Sequence, residues 1–230
     1  MISQVIDSSW NPILSSLYQP PLDFLNTDIL PNIKYYPEKD NIFRVFKTPV
    51  NKVKVVILGQ YPYPNPGDAI GLSFVNGTSK VPASLRIIKQ ELNNEGFENV
   101  DIHKWEQQGV FLLNTALTVE SGKAGSHLKY WENFTQNVVR FLSYTNPTIW
   151  LLWGKKAQEY KNFIYKPYVI KLQEKEFLDN LPMVDYNFIL ESAHPAAETY
   201  SGGKAGFYGN NHFKIVNNVL LKKNLTQINW

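Results

Sequence analysis

There is no cysteine among the 230 residues. Disulfides, thiol nucleophiles, iron–sulfur clusters and thiolate zinc sites are therefore excluded. Histidine is scarce: His103, His127, His194 and His212 are the only four, and no two stand at the helical pair spacing of a metal site. No cofactor is expected. No apolar run is long enough to cross a membrane, and Met1 to Asp7 lacks the basic start and apolar core of a secretory signal. The expected location is the cytoplasm, with no membrane partner. Repeats and low-complexity segments are missing too. Charge is nearly balanced, at a formal net +3, which is compatible with a phosphate-contacting face without demonstrating one.

What the chain does have is apolar bulk. Of its residues 43% are hydrophobic and 14% aromatic. At this length that is enough for one well-buried domain and short for two. A single domain over 1–230 is expected, with the Pro-punctuated residues 1–50 as an N-terminal helical cover. Four apolar runs stand out: Val53–Gly59, Val110–Asn114, Thr148–Gly154 and Phe188–Ala193. Each is short, continuous rather than alternating, and followed by turn or polar residues. That pattern marks strands buried on both faces, as in a parallel sheet. Helical patterns lie between them. Pro82 opens one, with Leu85, Ile88 and Leu92 on one face. Trp131–Leu142, Lys155–Phe163 and His212–Leu221 are the others. Tyr165–Asp185 reads as an irregular surface excursion. The alternation predicts a three-layer α/β/α fold around a central four-stranded parallel sheet.

In open sheets of this kind ligands sit outside the carboxyl ends of the strands, so the residues there matter most. The first strand runs into Gly59-Gln60-Tyr61-Pro62-Tyr63-Pro64-Asn65-Pro66-Gly67, whose prolines and glycines shape a rigid loop. Phe74 follows soon after. The second strand ends on Asn114, and the fourth leads into Ser192-Ala193-His194-Pro195. Singly, Asn114 reads as a turn cap or a base reader, and His194 as satisfied structure or a catalyst. Together an aromatic to stack, an amide for paired hydrogen bonds and a histidine to meet negative charge form a kit for gripping a flipped pyrimidine. An Asn amide both donates and accepts. It matches O4 and N3–H of uracil, whereas cytosine presents the opposite pair and leaves buried groups unpaired.

The residues just quoted resemble the family 1 uracil-DNA glycosylases, and the resemblance runs over most of the chain. Gly59–Pro64 is similar to that family's water-activating loop, Gly-Gln-Asp-Pro-Tyr-His. Val81-Pro82-Ala83-Ser84-Leu85 resembles its Pro-rich loop. Leu112–Val119, Gly125-Ser126-His127 and Trp131-Glu132 resemble its uracil-reading strand and the stretch after it. Leu151–Gln158 resembles its Gly-Ser loop, with Lys155 in place of Ser. Ser192–Pro195 and Phe207–Phe213 flank the region of its DNA-intercalating loop.

The resemblance implies roles. Gln60 lends backbone contacts to the base, Tyr63 blocks the C5 position against thymine, Phe74 stacks on uracil and Asn114 reads its edge. His194 stabilises negative charge on O2 of the departing base. Pro82, Ser84, Lys155 and Ser192 contact phosphates as the nucleotide flips. The implied substrate is uracil in single- or double-stranded DNA, the implied state a monomer, and a proteinaceous glycosylase inhibitor an implied partner. Beyond Lys155, three departures from the pattern matter. Tyr61 stands where the family has the Asp that holds the attacking water, and a phenol is uncharged near neutral pH. Pro64 replaces a His. The intercalating loop reads His194-Pro195-Ala196-Ala197-Glu198-Thr199-Tyr200, with Glu198 near the place of the family's Leu wedge and Tyr200 as a displaced wedge. An acidic tip at Glu198 would repel phosphates. Asp68, seven positions after Tyr61, is either a substitute carboxylate or a turn cap. The expected protein is a glycosylase of base-excision repair with modified activity. Two other readings keep the fold: a non-catalytic reader of uracil in DNA, and a scaffold for protein contacts.

Overall fold

The computed structural model describes residues 6–14, 33–170 and 186–230. Its strands are β1 (Tyr35–Tyr36), β2 (Val55–Gly59), β3 (Val110–Asn114), β4 (Val119–Glu120), β5 (Ile149–Trp153), β6 (Pro167–Val169) and β7 (Asn187–Ser192). Its helices are α1 (Asn11–Leu14), α2 (Ala83–Asn94), α3 (Leu128–Thr145), α4 (Lys155–Gln158), α5 (Ala197–Ser201) and α6 (His212–Lys222).

The four apolar runs become β2, β3, β5 and β7, and all pair in parallel. Every residue of β2, β3 and β5 is buried, so both faces of the sheet are covered. The Val, Ile and Leu of these runs suit that setting because branched side chains pack well on a pleated surface. The sheet has five strands rather than the four expected, in the order β3-β2-β5-β7-β6. The fifth, β6, is a short edge strand inside the segment read as irregular. It opens on Pro167, which only a sheet edge tolerates, and no residue of it is fully buried. With so little buried, it left no apolar run to read. The rest of that segment, 171–185, lies outside the described residues, as do 1–5 and 15–32.

The helices follow their apolar faces. On α2, Leu85, Ile88 and Leu92 are buried as the spacing requires, and on α3 Trp131, Phe134, Val138 and Leu142. The pattern over Lys155–Phe163 is α4 followed by a 3-10 turn over Glu159–Phe163. In the described part of the N-terminal cover, α1 is accompanied by 3-10 turns and the short strand β1. Trp10 anchors this cover. It is fully buried, its ring stacks on Phe111 of β3 at 5.1 Å, and its Nε1–H donates to the Thr48 carbonyl at 2.9 Å.

Two buried acids mark the end of α2, Glu91 in its last turn and Glu95 as its C-cap. Glu91 accepts from the N–H of Gly209 at 2.9 Å, and Glu95 accepts from the N–H of Lys214 at 2.7 Å and of Phe213 at 3.4 Å. They satisfy amides at and before the start of α6 that have no partner inside the helix. Burial pushes Glu95 up to about 7 despite those two N–H donors, with the neighbouring Glu91 adding to the rise. Between its ordinary 4.5 and about 7 the folded chain thus holds a proton that the unfolded chain has released. Stability from this group is therefore expected to fall as pH rises across that window. Glu95→Gln should flatten the slope, measured as urea midpoints against pH; an unchanged slope would assign the titration elsewhere.

Candidate active site

At the carboxyl ends of β2 and β3 lies a cavity of about 310 Å³. Gln60, Tyr61, Tyr63, Phe74, Ser84, Asn114 and His194 all line it, which brings together residues scattered over more than half the chain. The register explains the centre of the site. Gly59 pairs with Asn114 across the two strands. A Cβ at position 59 would sit 2.7 Å from Cβ of Ser73 and closer still to Asn114 Oδ1. Glycine is thus what lets the Asn114 amide occupy that place. Among the described residues the amide has no hydrogen-bond partner, although the residue is 7% exposed. A buried polar group in that position is matched by what enters the cavity.

The rest of the lining is locked from behind. The Gln60 carbonyl accepts from the N–H of Ala116 at 2.8 Å and the hydroxyl of Thr115 at 2.7 Å, which ties the loop after β2 to the one after β3. Ser73 donates its N–H to the Leu112 carbonyl and its hydroxyl to the Ile57 carbonyl, fixing the turn that presents Phe74. Phe74 takes a left-handed backbone, φ 62°, an uncommon conformation for a bulky residue. Its ring meets Trp153 edge-on at 5.5 Å and lies 6.0 Å from the His194 ring. Tyr63 and Ser84 hydroxyls are 3.3 Å apart, within hydrogen-bonding reach. Burial raises the Tyr63 pKa, so its hydroxyl keeps its proton.

His194 has a defined tautomer. Its Nδ1 accepts the Ala196 N–H at 3.2 Å, so the ring proton of the neutral form sits on Nε2. Burial lowers its pKa, which favours that neutral form. Gly154 makes room for the residue: a Cβ there would fall 2.8 Å from Cβ of His194. The site thus offers a neutral N–H donor, an amide and an aromatic face.

No carboxylate lines the cavity among the described residues. Asp68 is not among the residues of the lining, and two side chains engage its carboxylate. It is buried away from the lining, accepting from the Thr78 hydroxyl at 2.7 Å and the Asn65 amide at 3.2 Å. Tyr61 itself faces the cavity, half-buried beside Gly125, and Pro64 lines the wall next to it. Lys155, Ser192, Pro82 and Tyr200 are not in the lining. Lys155 succeeds Gly154 at the end of β5 and is exposed; Ser192 ends β7; Pro82 is the residue before α2. Tyr200 is 90% exposed on α5.

Glu198 corrects the reading of the loop tip. It is 2% exposed and turned inward. Its carboxylate accepts N–H groups of Phe207 at 2.5 Å, Ala205 at 3.0 Å and Tyr208 at 3.1 Å. No acidic tip faces outward there. The sequence reading also missed Gly59 as a site residue, and Leu72, Ala69 and Ala124 as parts of the wall. The signal for Gly59 lay in its register with Asn114, which needs a sheet alignment to be seen.

Because Gly59 gives Asn114 its place, Gly59→Ala is expected to displace the amide. Affinity for free uracil should drop by about tenfold or more, the cost of leaving a buried pair unmade. Titration calorimetry reads this, with circular dichroism to confirm the fold; undiminished affinity would separate Asn114 from base recognition.

Known proteins resemble this chain over its length. The model of the Uracil DNA glycosylase superfamily matches residues 46–221. A uracil-DNA glycosylase of Aliivibrio salmonicida is 37% identical over 239 residues, covering 98% of this chain and 97% of that protein. One of Lactobacillus helveticus is 36% identical, covering 100% of this chain and 95% of its own length. Among solved structures, a variant of mimivirus UNG in complex with UGI superposes with a TM-score of 0.79 at 24% identity, over 100% of this chain and 90% of that one. The match along the full length and the residues gathered at the cavity agree, and the chain belongs to the uracil-DNA glycosylase family.

Proposed function

We propose that the protein removes uracil from DNA by hydrolysing the N-glycosidic bond, the first step of base-excision repair. The observation that carries the reading is the convergence of Asn114, Phe74, Tyr63 and His194 on one cavity. A deoxyuridine flipped from the strand places its base there. The Asn114 amide donates to O4 and accepts from N3–H. Phe74 stacks on the ring, and Tyr63 stands where a C5 methyl would go. As the bond from C1′ to N1 breaks, its electron pair passes to the base and negative charge grows on O2. The Nε2–H of His194 donates to that oxygen, a preorganised stabilisation that strengthens as charge develops. Water then adds to C1′ and releases a proton, leaving an abasic sugar.

The chemistry is slowed at one point. The sugar passes through a cation, and Tyr61 supplies no anion to face it. Losing one preorganised electrostatic partner costs about 3–4 kcal/mol, roughly a hundred- to thousandfold in rate. The negative phosphates of the DNA remain, so activity is reduced rather than lost. Lys155, Ser84, Ser192 and Pro82 hold those phosphates, and the exposed Tyr200 is the wedge that fills the gap left by the flipped base. The protein acts as a monomer in the cytoplasm. A proteinaceous inhibitor of the UGI kind is a further partner in this reading, supported by the fold shared with the mimivirus UNG that binds UGI. A second reading, a reader that binds uracil in DNA without cleaving, is favoured by the lack of a carboxylate in the lining.

Single-stranded DNA with one deoxyuridine, incubated with the purified protein and cleaved with alkali, separates the two. Uracil-specific breaks are expected, with none at thymine or cytosine; binding without breaks would make the protein a reader. In the same assay Tyr61→Asp should raise the rate by about two to three decades. No gain would mean that the missing carboxylate does not limit the reaction.

A further inference from the structure

The loop between His194 and α6 is built around an internal anion. Gly202, Gly203, Gly206 and Gly209 all take left-handed backbone, with φ between 63° and 92°. Such turns let successive N–H groups point into one concavity, a nest that ordinarily receives an external anion. Here the nest is already filled. The Glu198 carboxylate accepts from Ala205, Phe207 and Tyr208, and the Ser201 hydroxyl lies 3.4 Å from it. Burial by itself would raise the Glu198 pKa, but the N–H donors outweigh it and hold the group below its ordinary range, so it is charged at neutral pH.

The backbone of Glu198 reaches the other way. Its N–H donates to the Pro195 carbonyl at 3.1 Å, and the Ala197 N–H donates to the His194 carbonyl at 2.9 Å. That is the turn whose Ala196 N–H fixes Nδ1 of His194. One residue therefore joins the His194 turn to the glycine-rich return strand, and Tyr200 stands outward between the two. Beyond the nest, Glu91 takes over at Gly209, so the return strand is gripped as far as α6.

We propose that Glu198 is a positioning residue: as a built-in anion in the 205–208 nest it holds the loop in the one form that presents Tyr200 to DNA and His194 to the base. The inference rests on the glycosylase reading and deepens it. A carboxylate at this position thus contributes through the loop and not by touching the substrate.

Three measurements on Glu198→Ala and Glu198→Gln test it: uracil release from duplex DNA, affinity for free uracil, and amide hydrogen exchange at Ala205–Tyr208. Glu198→Ala is expected to lower kcat/KM on duplex DNA by about ten- to a hundredfold, as misplaced groups do. Free-uracil affinity should fall by less than kcat/KM does, since His194 meets charge that grows on O2 only as the bond breaks, and the 205–208 amides should lose protection. Added acetate, entering the emptied nest, should restore part of the activity and the protection. Glu198→Gln keeps one acceptor oxygen, so its loss should be smaller, and it serves as the test if the Ala variant fails to fold. Unchanged duplex kcat/KM would overturn the proposal. So would an equal loss of free-uracil affinity with no response to acetate, which would make Glu198 a plain stability residue. If the wild-type protein releases no uracil while its 205–208 amides stay protected, the glycosylase reading fails and the catalytic role falls with it, although the clasp stands.

Discussion

Gly59 stands beside Asn114 in the parallel register of β2 and β3, and the rest of the site depends on that close approach. Paired positions on neighbouring strands send their side chains to the same face. With no Cβ at 59, the Asn114 amide can lie across the end of β2. One residue further on, the Gln60 carbonyl is held by Ala116 and Thr115, and the Thr115 carbonyl accepts from the Thr135 hydroxyl on α3 at 2.8 Å. The two loops that meet a base thus inherit the rigidity of two fully buried strands. A site that must discriminate an acceptor–donor edge needs that rigidity, because selectivity by hydrogen bonding works only if the amide cannot swing to suit the wrong partner.

The distribution of carboxylates sets the electrostatics. Among the described residues none lines the cavity, whereas Glu91, Glu95 and Glu198 are buried and engaged by backbone N–H groups between Ala205 and Lys214. Inside the cavity the polar side chains are neutral: the Nε2–H of His194 and the Asn114 amide among them. Two features then hang together. A carboxylate near His194 would raise its pKa by favouring the imidazolium. Without one, burial alone acts and lowers it. The lining described here thus leaves His194 in its neutral form, with Nε2–H free to donate into the cavity.

Much of this was legible in the sequence, and for stated reasons. Buried parallel strands write themselves as unbroken apolar runs, so β2, β3, β5 and β7 could be read directly, and their carboxyl ends pointed to Asn114, Phe74 and His194. What could not be read was whatever depends on register or on side-chain direction. β6 is a half-exposed edge strand with no apolar run. Gly59 looks like any glycine until it is set against Asn114. Glu198 falls where a wedge belongs in the linear motif, but the glycines after it let the chain double back, and the carboxylate turns in. Glu91 and Glu95 left a trace that went unused: each lies three residues after an apolar member of the α2 stripe, Ile88 and Leu92. An acid on a buried helix face signals that something with N–H groups is packed against it.

Tyr61 is more than the loss of a charge. Its ring packs against the hydrophobic core from a half-buried position and lies along Gly125, where an added Cβ would already be in contact at 3.6 Å. Gly125 has φ 73°, so its turn passes under the ring without a side chain of its own. The Tyr61 ring, in the loop after β2, thus lies close to Gly125, in the loop after β4, at the wall of the cavity. The Gly122 N–H adds to this by donating to the Pro64 carbonyl at 2.9 Å. A carboxylate in place of the ring would put an anion at the cavity wall, but it would leave the ring's place beside Gly125 empty and weaken the packing there. Strength of the wall and strength of the field are set against each other at this one position. At this position the chain carries the ring that closes the wall and no carboxylate.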